Sequence, residues 1–196
     1  TIDMTPDQRR IYRDLETQLL AEVEDVTVTV PYLITKLMRL NQVCSGFLHH
    51  GDRILHTDNP KLAELKQIVD DYDGQVVVWA VFLHDVQAIA DAFPGALVID
   101  GSKTTDERAQ AIDDFQAGRA KVMVLQQQAG AVGITLTAAH LSIFYSRNYS
   151  LLDRMQAEDR LHRIGQRNPV TYVDLIMAGS IEQDIIEAIE SKRIVA

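Results

Sequence analysis

The sequence predicts an α/β fold built around a mostly parallel sheet. Two observations carry this reading. Five short apolar runs recur after residue 75: VVVWAVF (76–82), ALVI (96–99), KVMVL (121–125), LSIFY (141–145) and VTYVDLI (170–176). Their near-continuous apolar character suits strands covered on both faces, as parallel strands are. Amphipathic segments lie between several of them, and strand–helix alternation from Pro60 onward is the signature of a parallel sheet.

In chain order, Thr5 with Pro6 opens a helical pattern through Ile11, Leu15, Leu19 and Val23. After Pro31, a second helical stretch is marked by Leu33, Leu37, Leu40 and Cys44, and Gly46 is placed to end it. His49 to Asn59 is polar and broken by Gly51, so it is expected to be a connector with at most one short strand. Val86, Ile89, Ala90 and Phe93 mark one face of a helix at steps of three and four. Thr104 with Glu107, Ser150 with Asp153, and Ser180 with Gln183 have the spacing of helix-start capping pairs. Residues 1–59 are therefore expected to form a helical linker or protrusion, and 60–196 the α/β domain.

Composition narrows the function classes. The 196 residues, 46% of them hydrophobic, can bury a real core and do not suit a disordered chain. No apolar run approaches the roughly 18 residues of a membrane helix, and TIDMTPDQRR is not a signal peptide. A single cysteine, Cys44, excludes a disulfide framework and reads as a small core residue. His49, His50 and His162 are too scattered for a metal site. The net charge of −9 argues against a protein that coats nucleic acid through bulk positive charge.

One region runs against that balance. Residues 145–170 hold five arginines and three acids. Within QAEDRLHRIGQR (156–167), a continuous helix would place Gln156, Arg160 and Arg163 within about 60° of one another. Guanidinium suits phosphate because its planar fork donates paired hydrogen bonds and keeps its charge. The competing reading pairs Arg160 and Arg163 with Glu158 and Asp159 on the surface. Gly130 and Gly133 could admit a phosphate close to backbone N–H groups, or could simply form a strand–helix turn. Gly101, Ser102 and Lys103 precede a capped helix start, which favours an anion but is equally an ordinary cap. Trp79 and Phe82 lie in an apolar strand and are read as core.

QAEDRLHRIGQ closely resembles motif VI of the Swi/Snf family of helicase-like ATPases, a branch of helicase superfamily II. LQQQAGAVGITLTAAH (125–140) resembles its motif V, QVVVWAVF (75–82) its motif IV, and DGSKTTDERAQAIDDF (100–115) the segment after its second core strand. MTPDQRRIY resembles the family's lobe-linking segment, and NPKLAELKQIV the start of its second lobe. The sequence departs from the family where Gln126 and Gln127 replace Ser-Thr and Ala131 replaces a glycine. SRNYS (146–150) also replaces an acidic, tryptophan-bearing stretch.

This resemblance implies a RecA-like second lobe preceded by a helical inter-lobe linker. It implies ATP as substrate in a cleft between two such lobes, with Mg2+ held by the first lobe, and duplex DNA as a partner of both. Arg160 and Arg163 match the arginines that reach the phosphates, and Gln156 and Gly133 are assigned to the nucleotide. Gly101, Ser102, Lys103, Gly130, Thr135 and Thr137 are assigned to the DNA backbone.

An ATPase of this kind also needs a G-x-x-x-x-G-K-[ST] loop and an acidic box. Neither occurs in these residues: in GSKT (101–104), Ser102 separates Gly101 from Lys103 and the upstream glycine is misplaced. The first lobe is thus expected N-terminal to Thr1, or on another chain. Two functional classes remain: half of a DNA-dependent ATPase and translocase, or a non-catalytic nucleic-acid-binding or regulatory module that keeps the fold. Retention of both arginines favours the first. An RNA helicase is disfavoured because such proteins end motif VI in Gly-Arg rather than Ile-Gly-Gln. The expected location is a bacterial or phage-type cytoplasm, in association with the nucleoid, or the nucleus if the source is eukaryotic. No membrane partner is expected.

Overall fold

The computed structural model describes residues 1–24, 30–129 and 133–195. Helices α1 (Pro6–Glu24) and α2 (Val30–Cys44) come first, then the short strands β1 (Phe47–His50) and β2 (Arg53–His56). The alternating part follows: α3 (Pro60–Asp70), β3 (Val76–Ala80), α4 (Leu83–Ala92), β4 (Leu97–Ile99), α5 (Thr105–Gln116) and β5 (Val122–Gln126). It ends with β6 (Leu141–Phe144), α6 (Leu151–Leu161), β7 (Thr171–Asp174) and α7 (Ile181–Val195). The large sheet has the order β4-β5-β3-β6-β7, and its pairings are all parallel.

All five apolar runs become strands because the pleat sends alternate residues to two covered faces. Val76, Val78 and Ala80 pack with Val69 of α3 and Ile89 of α4. Val77 and Trp79 pack on the other side with Phe115 of α5 and Leu161 of α6. Trp79 is fully buried, and its indole Nε1 donates to Ser142 Oγ at 3.0 Å, so it is core as expected. Phe82 packs edge-on against Phe47, with ring centroids 5.4 Å apart.

The connector differs from expectation. It holds two strands rather than one at most, paired antiparallel from Phe47↔His56 to His50↔Arg53 around Gly51 at φ +59°. Phe47 and Leu48 are buried, whereas β2 is exposed along its whole length and carries no inward-facing apolar signal. Gly46 ends α2 at φ +85°, where a Cβ would meet the Asn59 side chain at 2.8 Å.

Residues 1–59 build a third core with the far end of the chain. Met4, Tyr12, Leu40, Val43 and Cys44 pack against Met177, Ile181, Ile185 and Ile189. Ile2 bridges Met177 in parallel, and the Tyr12 hydroxyl accepts from Ile181 N at 2.7 Å. Beside this core, Lys61 Nζ meets Glu182 Oε1 at 2.5 Å with both side chains fully buried. Glu182 Oε2 accepts from Met177 N at 2.9 Å. Burial pushes the Cys44 thiol up to about 12, with nearby Glu182 adding to the shift, so it is no thiolate nucleophile.

Asp85, at the start of α4, is also buried, and its Oδ2 accepts from Ser45 Oγ at 3.1 Å. Burial raises its pKa, against smaller relief from the neighbouring His84 and Ser146 side chains. The folded chain therefore holds this proton to higher pH than the unfolded chain does. Stability is expected to fall as pH rises through the folded pKa. Asp85→Asn should flatten that slope and gain relative to wild type on the alkaline side, read by urea denaturation across a pH series. Identical slopes for the two proteins would show that Asp85 does not titrate in this way.

Candidate functional site

The arginine-bearing helix α6 is capped by Ser150, whose hydroxyl accepts from Asp153 N at 3.1 Å. Arg154 seats it on the sheet: Nη1 reaches Asp174 Oδ1 at 2.5 Å, Nε reaches Glu158 Oε1 at 2.6 Å, and the guanidinium lies 3.6 Å over the Phe144 ring. Desolvation pulls the Arg154 pKa down, but Asp174 and Glu158 outweigh it and hold the group above its ordinary value.

Gln156 and Arg160 stand one turn apart on this helix, both half-buried. Arg163 does not share their face. The helix stops at Leu161 because His162 takes φ −88°, ψ 75°, so Arg163 projects from the following turn and is exposed. There Arg163 Nη1 donates to Ile134 O at 3.3 Å and to Thr135 Oγ1 at 3.0 Å. The carboxylate of Glu158 is held by Arg154 and Arg193, not by the motif VI arginines.

A second connection locks this turn against the segment after β5. Gln166 Nε2 donates to Thr137 O and Ala139 O, each at 3.1 Å, and to Leu161 O at 3.4 Å. Leu136 N donates to Arg160 O at 2.8 Å, and Gly165 at φ +108° makes the turn possible. Gln166 was not among the residues expected from sequence. Its place at the end of motif VI is a signal, but its three carbonyl partners are visible only in the fold.

Gly130 lies outside the described residues, as does Ala131. Gly133 sits at φ +58° with nothing within 4 Å of the position a Cβ would take. Together with Ile134 and Thr135 it lines a cleft whose other wall is Ile99, Thr105 and Arg108. Thr137 Oγ1 accepts from Gln116 Nε2 at 3.3 Å, and Gln116 Oε1 accepts from Ala138 N at 2.9 Å. Thr135 and Thr137 thus serve the internal scaffold through their hydroxyls.

Gly101, Ser102 and Lys103 form a turn after β4 in which Gly101 and Ser102 are exposed and Lys103 is half-buried. Ser102 donates to Asp100 Oδ1 through both its amide (2.8 Å) and its hydroxyl (2.6 Å), and Gly101 N donates to Gln126 Oε1 at 3.2 Å. The Ser102 hydroxyl holds the Asp100 carboxyl below its usual range, against a smaller cost of burial. Thr104 and Glu107 complete a reciprocal capping box. The cap is present, and all three amides of the turn are already bonded within the chain, Lys103 N to Asp100 O at 3.4 Å. Among the described residues, no group of three or more His, Cys, Asp or Glu side chains could hold a metal ion, and no helix is long and apolar enough to cross a membrane.

The model of the helicase conserved C-terminal domain matches residues 60–165. The yeast ISWI chromatin-remodeling complex ATPase ISW1 (Saccharomyces cerevisiae) is 40% identical over 163 residues, which is 82% of this chain and 13% of that protein. The chain belongs to this family, as the C-terminal lobe of a Swi/Snf-type helicase. The lobe spans 10% to 19% of the length of the curated relatives it matches. The crystal structure of the C-terminal part of the Fun30 ATPase domain overlays with TM-score 0.77 at 19% identity, covering 95% of the lobe and 86% of that chain. The Sulfolobus solfataricus SWI2/SNF2 ATPase core in complex with dsDNA overlays with TM-score 0.76 at 23% identity, covering 99% of the lobe and 43% of that chain. These likenesses establish the RecA-like fold.

Proposed function

We propose that the lobe is the second half of a DNA-dependent ATPase that translocates on duplex DNA. Arg160 and Arg163 serve as arginine fingers toward ATP bound by a first RecA-like lobe. The observation that supports this is the docking of 160–166 onto 134–139: Arg163 Nη1 bonds Ile134 O and Thr135 Oγ1, Leu136 N bonds the Arg160 carbonyl, and Gln166 holds the turn. A guanidinium held in place before the reaction stabilises charge on the transferred phosphoryl group without reorganising. Since that phosphate sits on the other lobe, turnover depends on closure, which couples chemistry to motion.

Gln156 and Gly133 complete the nucleotide side. Gly101, Ser102, Lys103, Thr135 and Thr137 are assigned to the DNA backbone, the two threonines through their backbone groups since their hydroxyls are bonded within the chain. Gly130 is assigned there from its place in the sequence, and Mg2+ would be held by the first lobe. The Sulfolobus relative is a complex with dsDNA, which supports duplex DNA as a partner. The site of action is the compartment that holds the DNA, a bacterial or phage-type cytoplasm or a nucleus.

The deciding experiment is DNA-stimulated ATP hydrolysis by the full-length protein beside this lobe alone. The lobe alone should show no turnover. Its duplex binding should be weak and fall steeply with salt, because backbone contacts act through released counterions. Turnover by the pure lobe, or tight binding that ignores salt, would reject the proposal. A full-length protein without DNA-stimulated turnover would favour the regulatory-module reading.

A further inference from the structure

The last turn of α7 grips both ends of the arginine-bearing helix. Lys192 Nζ donates to Tyr149 O at 3.1 Å, just before α6 begins. Arg193 Nη2 reaches Glu158 Oε2 at 2.9 Å, two residues before Arg160. Glu158 is buried within motif VI, and its remaining groups are used too: Oε1 by Arg154 and the backbone carbonyl by the Tyr172 hydroxyl at 3.1 Å. A connected series of ion pairs therefore runs from Asp174 through Arg154 and Glu158 to Arg193.

Two ends of that series differ. Arg154 is enclosed by the Phe144 ring, Asp174 and Glu158, with its side chain 15% exposed. The Arg193 side chain is 59% exposed, yet it neutralises a carboxylate that is 11% exposed. The contact is thus weak as a contribution to stability and well placed to set orientation. Arg160 O, one short step along the helix, accepts from Leu136 N and so ties this helix to the segment that receives Arg163.

We infer that Glu158 and Arg193 are a positioning pair, through which α7 holds the C-terminal end of α6 in the pose that presents Arg160 and Arg163. Both act through the pose of α6 rather than by contact with the nucleotide. Misplacing a catalytic group by a fraction of an ångström to an ångström lowers the rate without weakening ground-state binding. This inference rests on the ATPase reading.

The test is steady-state kinetics on the full-length protein with Arg193→Ala, Glu158→Gln, the double variant and Arg193→Lys. Arg193→Ala should lower kcat roughly three- to tenfold with KM for ATP and DNA affinity unchanged, an effect in the range a small misplacement produces. The double variant should be no slower than Glu158→Gln alone, since coupled residues are not additive. Arg193→Lys should recover most of the rate. Thermal stability of Arg193→Ala should stay near wild type, which separates positioning from folding. An unchanged kcat for Arg193→Ala, in a protein that loses turnover on Arg163→Ala, would overturn this inference alone. Persistence of turnover in Arg163→Ala would overturn the ATPase reading and the inference with it.

Discussion

Arg163→Ala in the full-length protein is expected to lower ATP turnover by at least about 10³-fold, the scale on which arginine fingers act. Nucleotide affinity should change by no more than a few-fold, because the interaction is made chiefly in the transition state. The structure also predicts that the fold survives. Arg163 lies exposed in a turn, with Ile134 O and Thr135 Oγ1 as its bonded partners, while Gln166 and Leu136 hold the turn independently. The melting temperature should stay close to wild type, and Arg163→Lys should not rescue turnover, since an ammonium cannot reproduce the planar fork. Steady-state hydrolysis with a fluorescent-nucleotide titration decides the matter. A variant turning over at near-normal rate would remove Arg163 from its role.

Lys61→Met is expected to give the largest loss of stability, about 3–5 kcal/mol, because it strands Glu182 as a fully buried charge. At about 2–4 °C per kcal/mol for a chain of this size, the melting temperature should fall by roughly 6–20 °C. The hydrogen bond from Met177 N to Glu182 does not replace the lost cation. Pairing Lys61→Met with Glu182→Leu should recover most of the loss, since an apolar pair of similar volume removes the desolvation cost altogether. Thermal and urea denaturation of the three variants would measure this. A loss below about 1 kcal/mol for Lys61→Met would show that solvent reaches the site after substitution.

Those two residues mark the range of what the sequence made legible. The five strands could be read because coverage on both faces leaves an unbroken apolar run, and Thr104 with Glu107 could be read because a capping box is local. The arginines stood out by their spacing and by the resemblance to motif VI. The end of α6 did not: periodicity carries a helix forward through Arg163, whereas the backbone at His162 stops it. The β1–β2 hairpin escaped for a different reason, since four exposed residues in β2 carry no alternation. Lys61 and Glu182 are 121 residues apart, and nothing local in either segment announces the other. Arg193 and Glu158, from different helices, were hidden for the same reason.

The parallel bridge between Ile2 and Met177 has a mechanical consequence. Its two hydrogen bonds, Ile2 N to Ile176 O at 2.7 Å and Ala178 N to Ile2 O at 2.8 Å, flank a single residue. A pull on Thr1 along the strand direction loads both at once, in shear, rather than peeling them one after the other. Behind them the Tyr12 hydroxyl holds the first turn of α7. Tension entering at the first residue is thus delivered to the root of the helix whose far end grips motif VI.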